Sequence, residues 1–242
     1  MIKFFRKIRQ KTLTENKFGK YLTYAIGEII LVVIGILIAL SINNWNEDRK
    51  DVKREIKMLY DIQNDVNKNI KNIEEGIIML EEGIKCSKEI VSAFKKQTKY
   101  DTIMNKNFQF YALYWDPDFR NASFENLKKE GVNLIANDSL RNKIIDIFEI
   151  DMDILDVSDL NRHNNYMTSV GNRIVNKHLY FDSKTGGIRP FDYENMMSDN
   201  EFYSFTSFIL VNQYSELIKS KEFIEKSQSL NEEINKEINR LQ

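Results

Sequence analysis

The chain has 242 residues, 42% apolar and 29% charged, the ordinary balance of a folded protein. Thirty-five basic and 36 acidic side chains give a formal net charge of −1, and the part after residue 42 is mildly acidic, which argues against nucleic acid as a partner. One cysteine, Cys86, excludes an intrachain disulfide and a cysteine-based metal site, and two prolines, Pro117 and Pro190, leave room for long uninterrupted helices.

The first 20 residues form a basic tail. Lys3, Arg6, Lys7, Arg9, Lys11, Lys17 and Lys20 stand there against Glu15 alone. Met1, Phe5, Ile8 and Thr12 share one helical face, as in a short amphipathic helix on an anionic membrane surface. A disordered tail that only sets orientation, or one that touches nucleic acid, reads the same residues differently.

Residues 21–42 are expected to form a transmembrane helix. Twenty-two residues span about 33 Å as a helix, enough for a hydrocarbon core of about 30 Å. Thirteen Leu, Ile and Val side chains at about −0.3 to −0.6 kcal/mol each outweigh the roughly 3 kcal/mol or less opposed by Glu28, the single charge in the run. Tyr21 and Tyr24 mark one interface and Trp45 the other. Because the bases precede the span, the N-terminus is expected in the cytoplasm and residues 43–242 in the periplasm of a bacterial inner membrane. A cleaved signal peptide is the rival, with Ala39-Leu40-Ser41 as a small-x-small site, but the basic region and the apolar run both exceed the usual lengths. Glu28, Gly35 and Ala39 fall on one stripe of this helix. That stripe reads as a helix-packing face toward a second copy or another membrane protein, or as a snorkelling glutamate among incidental small residues.

The segments MIKFFRKIRQ, TENKFGKYLTYAIGEIILVVIGILIAL and NNWNEDRK resemble the N-terminal signature of a family of unknown function in Bacteroidota, whose members are small single-pass membrane proteins. SFENLKKEGVNLIANDSLRNKIIDIFE at 123–149 is similar to that family's internal motif. The resemblance implies an inner-membrane location and a helical exported part. It supplies no activity, substrate, cofactor or catalytic residue.

After the span, Asn43 to Asp48 either continue the membrane helix or place Asn46 as the cap of a new one. A seven-residue repeat follows. Ile56, Gln63, Ile70, Ile77, Ile84 and Val91 form one set, and Val52, Leu59, Val66, Ile73, Leu80, Ser87 and Phe94 the other. The repeat predicts a long helix over about 47–98. Ile62, Gly76, Gly83 and Ile90 occupy flanking positions where a self-pairing coiled coil wants charges, so packing inside a bundle fits better. Cys86 on this helix is a small packing residue or a thiol able to link two chains.

Residues 100–136 concentrate Phe108, Phe110, Tyr111, Tyr114, Trp115, Phe119 and Phe124. The reading is one short helix before Pro117 and a second from a Ser123 cap to Gly131, the aromatic rings being core or the wall of a ligand pocket. A helix over about 138–179, capped by Asn137 or Asp138, turns Leu140, Ile144, Ile147, Ile154 and Leu155 inward and leaves Asp146, Glu149, Asp153 and Asp156 on a solvated face. A Gly-rich loop with Gly186, Gly187 and Pro190 follows. Ser198 to Glu201 reads as a capping box opening the last helix, over about 199–241, with Leu210, Tyr214, Leu217, Ile224, Ile234 and Ile238 as core.

The fold class expected is therefore all-α: one N-terminal transmembrane helix followed by an antiparallel bundle of long helices and no strands. His163 and His178, the only histidines, lack a second ligand motif, no phosphate loop is present, and Arg141 and Arg173 read as surface ion-pair partners. No catalytic, cofactor or metal site is expected. The function class expected is a structural or protein-interaction module, with an extracytoplasmic sensory or ligand-binding module as the alternative and an enzyme disfavoured. The expected partners are the lipid bilayer and a second copy or another membrane protein.

Overall fold

The structure, a computed structural model, describes residues 18–112, 115–155 and 159–242. The basic residues Lys3, Arg6, Lys7, Arg9, Lys11 and Lys17, together with Tyr114 and Asp156, lie outside the described residues. The chain divides into two compact units at Arg54/Glu55. Helix α1, Phe18–Lys96, is continuous for 79 residues and passes through that boundary. The alternative left open at Asn46 is thus resolved as a helix without a cap. Neither Gly nor Pro interrupts residues 36–75, and each Asn opposes helix by less than about 1 kcal/mol. Pairs three residues apart, Glu47–Lys50 at 2.8 Å and Asp51–Arg54, support the same stretch.

In the first unit, none of the side chains from Leu22 to Arg54 is buried. The described residues contain one helix long and apolar enough to cross a membrane.

The second unit, Glu55–Gln242, is built around the rest of α1. That helix ends where Gln97 adopts a left-handed φ of 52°, with the Thr98 amide bonded to Ala93 O at 3.0 Å and two lysines in the last turn. A 3-10 turn, Thr102–Met104, leads into α2, Asn105–Phe110. From Trp115 to Asn121 the chain is irregular and runs back along α1, with Asp118 on Asn72 and Arg120 on Asn69, to α3, Ala122–Glu130. Gly131 ends α3 at φ 99°, a conformation that favours glycine. Asn137 caps α4, Asp138–Ile145, by accepting from the Leu140 amide at 3.2 Å. A π-type turn, Asp146–Asp151, follows. Helix α5, Asp159–Tyr166, passes through a second wide turn, Met167–Gly171, into α6, Asn172–His178. Strands β1, Leu179–Asp182, and β2, Gly187–Pro190, pair antiparallel with Tyr180 opposite Arg189. Short α7, Tyr193–Met196, precedes α8, Asn200–Leu241.

Cross-helix bonds fix the directions. Helix α8 runs antiparallel to α1, since Gln63 bonds Asn235 at 3.0 Å, Asn67 bonds Asn231 at 2.8 Å and Ser87 bonds Gln213 at 2.9 Å. The stretch from α4 to α6 runs antiparallel to α8 in turn: Lys143 pairs with Glu233, Asp151 with Lys226 at 2.5 Å and Arg173 with Glu201 at 3.0 Å. The long helical stretches of α1, α4 to α6 and α8 thus form a bundle in which the first two run parallel and α8 runs antiparallel to both, up-up-down in chain order. Its core is in two parts. One joins Leu59, Ile62, Val66 and Ile73 to Phe124, Leu127, Ile144, Phe148, Phe223 and Ile234. The other joins Cys86 and Ile90 to Phe108, Tyr111, Ile174, Met196, Phe202 and Phe205.

Several sequence expectations need correction. The heptad set from Leu59 to Ser87 is buried, but in the other set only Ile84 is buried, while Ile56, Gln63, Ile70, Ile77 and Val91 are half-buried. The other flank, with Ile62, Asn69, Gly76, Gly83 and Ile90, is the deeply buried one. Among the described residues, helix 138–179 is interrupted by π-type turns at Asp146–Asp151 and Met167–Gly171. Each extra residue per turn rotates the following face, which leaves Ile154 exposed although its spacing from Ile147 points it inward. The Gly-rich loop is the turn of a two-stranded hairpin, a small departure from the all-helical expectation. Asp182 accepts from the Lys184 amide at 2.9 Å and Thr185 Oγ1 at 2.8 Å to build that turn, with Gly186 at φ 69°. Ser198 does not cap α8. Asp199 does, accepting from the Glu201 amide at 2.8 Å, while the Ser198 hydroxyl bonds back to Glu194 O. Ser123 is no cap either: α3 begins at Ala122, and the Ser123 amide donates to Asp65 Oδ2 at 2.9 Å. On α8, Leu210, Tyr214, Leu217 and Ile224 are half-buried, and Gln213, Glu216, Ser220 and Ser227 face inward among the apolar residues.

Candidate functional site

The residues singled out in the apolar run share one uninterrupted helix. Tyr24, Gly35, Ala39 and Trp45 are exposed and Glu28 is half-buried. A Cβ placed on Gly35 would meet nothing within 4 Å, so a second helix backbone has room to approach there. Trp45 carries the Arg49 guanidinium 5.9 Å from its ring centroid. Of the remaining members of the set, Lys20 and Tyr21 fall on the helical backbone, and nothing further is described for their side chains. What this surface does physically is limited and clear. A ring of Leu, Ile and Val side chains stands outward on every side of the helix, and burying it in hydrocarbon recovers free energy that water withholds.

In the second unit, polar chemistry is used for construction. Helix α1 holds the returning chain with side chains that replace a missing backbone partner. Asn72 Oδ1 accepts from the Asp118 amide at 3.1 Å. Asn69 clamps Arg120 from both sides, accepting from its amide at 2.7 Å and donating to its carbonyl at 2.8 Å. Asp65 takes the Ser123 amide and Glu55 takes the Ala136 amide at 2.9 Å. Further along, Asn107 donates to Glu89 at 2.6 Å, and Ser87 and Gln213 both donate to Tyr111 O, at 2.9 and 2.8 Å. Sequence reasoning missed this row because Glu55, Asp65, Asn69 and Asn72 interrupt an apolar repeat and read as surface. Asp65, Asn69 and Asn72, four and three residues apart, are helical neighbours, and Glu55 lies ten residues earlier on the same broad side; that spacing was the available signal.

Among the described residues, the aromatic segment is divided between the two cores. Phe108 and Tyr111 belong to the second cluster and Phe124 to the first, where it stacks on Phe148 at 5.1 Å. Phe119 packs on Phe223 at 5.3 Å. Trp115 lies over Gly76, where an added Cβ would come within 2.4 Å of the indole. Burial pushes the Tyr111 phenol well above the usual tyrosine range.

The densest charged cluster surrounds the start of α8. His178 Nε2 lies 2.7 Å from Asp199 Oδ2, and Lys177 donates to the same oxygen at 2.5 Å. Arg173 holds Glu201 with two bonds at 3.0 and 3.1 Å. The Lys177 ammonium, with His178 and the Glu201 amide, keeps the Asp199 carboxyl far below the usual range. His178 also meets the Phe202 ring edge-on at 5.6 Å. The arrangement ties the end of α6 to the cap of α8, with every charged group occupied by another. Burial lowers the His163 pKa. Arg141 binds Asp138 at 2.6 Å and Ile135 O at 2.9 Å. Cys86 is buried, and burial followed by the charges of Glu82 and Glu89 raises its thiol pKa, which disfavours the reactive thiolate. Among the described residues, no group of three or more His, Cys, Asp and Glu side chains is placed to hold a metal ion.

Residues 28–112 match a family described as "Family of unknown function (DUF6090)". No curated protein matches the chain, and no solved structure does.

Proposed function

We propose that this protein is a single-pass anchor of the bacterial inner membrane, with its N-terminus in the cytoplasm and the Glu55–Gln242 unit in the periplasm. There it works as a structural or protein-interaction module. The observation that carries the reading is the outward-facing apolar surface of α1 between Leu22 and Ile42, unburied on every side within its own unit. Thirteen aliphatic side chains left in water oppose folding and solubility, whereas a bilayer covers them all. The bases ahead of the run support the orientation.

An interaction role, without chemistry of its own, is supported by how the second unit uses its polar side chains: they clamp backbone, cap helices and pair with one another. The stripe of Glu28, Gly35 and Ala39 offers a lateral contact for a second copy or another membrane protein. The sensory alternative draws on the aromatic segment, and the division of those rings between two cores weighs against it.

The test is in-membrane crosslinking of the full chain with cysteines introduced at positions 35 and 39. Copy-to-copy or heterologous adducts support the interaction reading. A chain that remains an isolated monomer, with no protein co-purifying after mild solubilisation, argues against it.

A further inference from the structure

Three elements of the second unit meet at a charged and buried junction. Glu55 of α1 is 4% exposed and accepts from the Ala136 amide at 2.9 Å. Glu237, near the C-terminal end of α8, is 5% exposed. It accepts from Asn137 Nδ2 at 3.1 Å and holds the Arg240 guanidinium at 2.5 Å. Asn137 in turn caps α4. Two carboxylates on different helices therefore grip the same dipeptide, Ala136-Asn137.

The charges do not balance. Arg240 bonds Glu237 while its charge also acts on Glu55, and Arg141, on the α4 side, is taken by Asp138 and Ile135 O. One guanidinium thus serves two carboxylates withdrawn from water. The consequence is unequal. Burial, and then the charge of Glu237, raises the Glu55 carboxyl above its ordinary value, while Arg240 holds Glu237 below. A proton entering the junction goes to Glu55. Protonated Glu55 keeps an oxygen for the Ala136 amide and gains an O–H donor.

We propose that the Glu55–Glu237–Arg240 junction is a proton-sensitive clasp: mild acidification neutralises Glu55, removes its repulsion with Glu237, and tightens α1, the chain ahead of α4 and α8 against one another. The sign follows from linkage. A carboxyl with a raised folded pKa binds its proton more tightly in the folded state, so stability grows as pH falls through that pKa and is fully present below the unfolded value of 4.5. Glu237 works in the opposite sense. Its contribution is present above the unfolded value and is lost as pH falls through its lowered folded pKa, so the clasp is tightest between the two titrations.

The experiment uses the full chain in detergent micelles. Hydrogen exchange of the Ala136 amide, corrected for its intrinsic pH dependence, is followed from about pH 7.5 to about pH 4.5 in the wild type, Glu55→Gln and Glu237→Gln, with infrared spectra recorded in parallel. Glutamine at 55 keeps the acceptor oxygen and removes the titration. In the wild type, protection at Ala136 rises as pH falls, by about tenfold for each pH unit separating Glu55 from an ordinary glutamate. In Glu55→Gln, protection is already high at neutral pH and flat, and in Glu237→Gln the rise moves to lower pH. A protonated-carboxyl infrared band appears in the wild type above the ordinary glutamate range and is missing from Glu55→Gln. Parallel wild-type and Glu55→Gln profiles, a Glu55→Gln chain that is less protected at neutral pH or fails to fold, or an infrared band that survives in it would each overturn the proposal.

Discussion

Replacing Asn69 by alanine removes both bonds that hold Arg120 to α1. The Asn69 side chain is 1% exposed, and its two contacts, at 2.7 and 2.8 Å, are short and reciprocal. Two such bonds contribute about 1 kcal/mol each, and leaving the Arg120 amide and carbonyl short of partners adds up to about 1 kcal/mol, since part of that backbone regains water. The loss comes to about 2–3 kcal/mol. For a unit of this size that lowers the thermal midpoint by roughly 5–10 °C. Asn72→Ala removes one exposed bond of 3.1 Å to the Asp118 amide and costs about 0.5 kcal/mol, which makes it the internal control. Thermal and urea unfolding of the full chain in micelles, followed by circular dichroism, gives both values, and hydrogen exchange at Arg120 localises the effect. An Asn69→Ala chain within 0.5 kcal/mol of the wild type, or no more affected than Asn72→Ala, would refute the idea that α1 side chains hold the returning segment.

Gly76→Val drives a branched side chain into the Trp115 indole, 2.4 Å from where its Cβ must stand. Overpacking of about 1–3 kcal/mol is expected, and in a Trp45→Phe background the single-tryptophan emission shifts to the red as the ring leaves α1; an unshifted spectrum counts against the contact. Asp199→Ala removes the α8 cap and strands His178, for a loss of about 2–4 kcal/mol by chemical denaturation, whereas Asp199→Asn keeps an acceptor for the cap and loses about half as much. Because the folded Asp199 carboxyl lies below its unfolded value of 3.8, its contribution is present above that pH and fades as pH falls through the lowered value. In the Asp199 variants the acid limb of the stability curve is therefore flatter, and an unchanged limb would remove Asp199 from the account of acid unfolding.

Much of the helical architecture is legible in the residues because it rests on periodicity and punctuation. The helix signalled by the apolar run of 21–42 and the repeat after Val52, the stop at Gly131 and the cap at Asn137 rest on local signals, and the chain forms each of them. What escaped was decided by contacts distant in sequence. The buried face of α1 is turned toward Ile62 and Ile90 because Asn69, Gly76 and Gly83 sit on that side, and their partners Arg120, Trp115 and Gln213 are 39 to 130 residues away. Gln213 reads as a polar interruption until Ser87 and Tyr111 O are seen beside it. The wide turn at Asp146–Asp151 in the middle helix leaves no mark in composition, yet it turns Ile154 outward. At the start of α8, Ser198 and Asp199 are both good caps by residue type. Lys177 and His178, arriving from α6, select the aspartate.

The most direct test of the account is where lipid and compartment place the chain. Cells expressing the full chain with alkaline phosphatase or a green fluorescent reporter fused after Gln242 are fractionated and washed at alkaline pH without detergent. The account predicts that the chain stays in the membrane pellet, with the phosphatase active and the fluorescent fusion dark, and that Val33→Arg together with Ile36→Arg releases it. Intact wild-type chain in the soluble fraction, or a bright fluorescent fusion beside an inactive phosphatase, would contradict it.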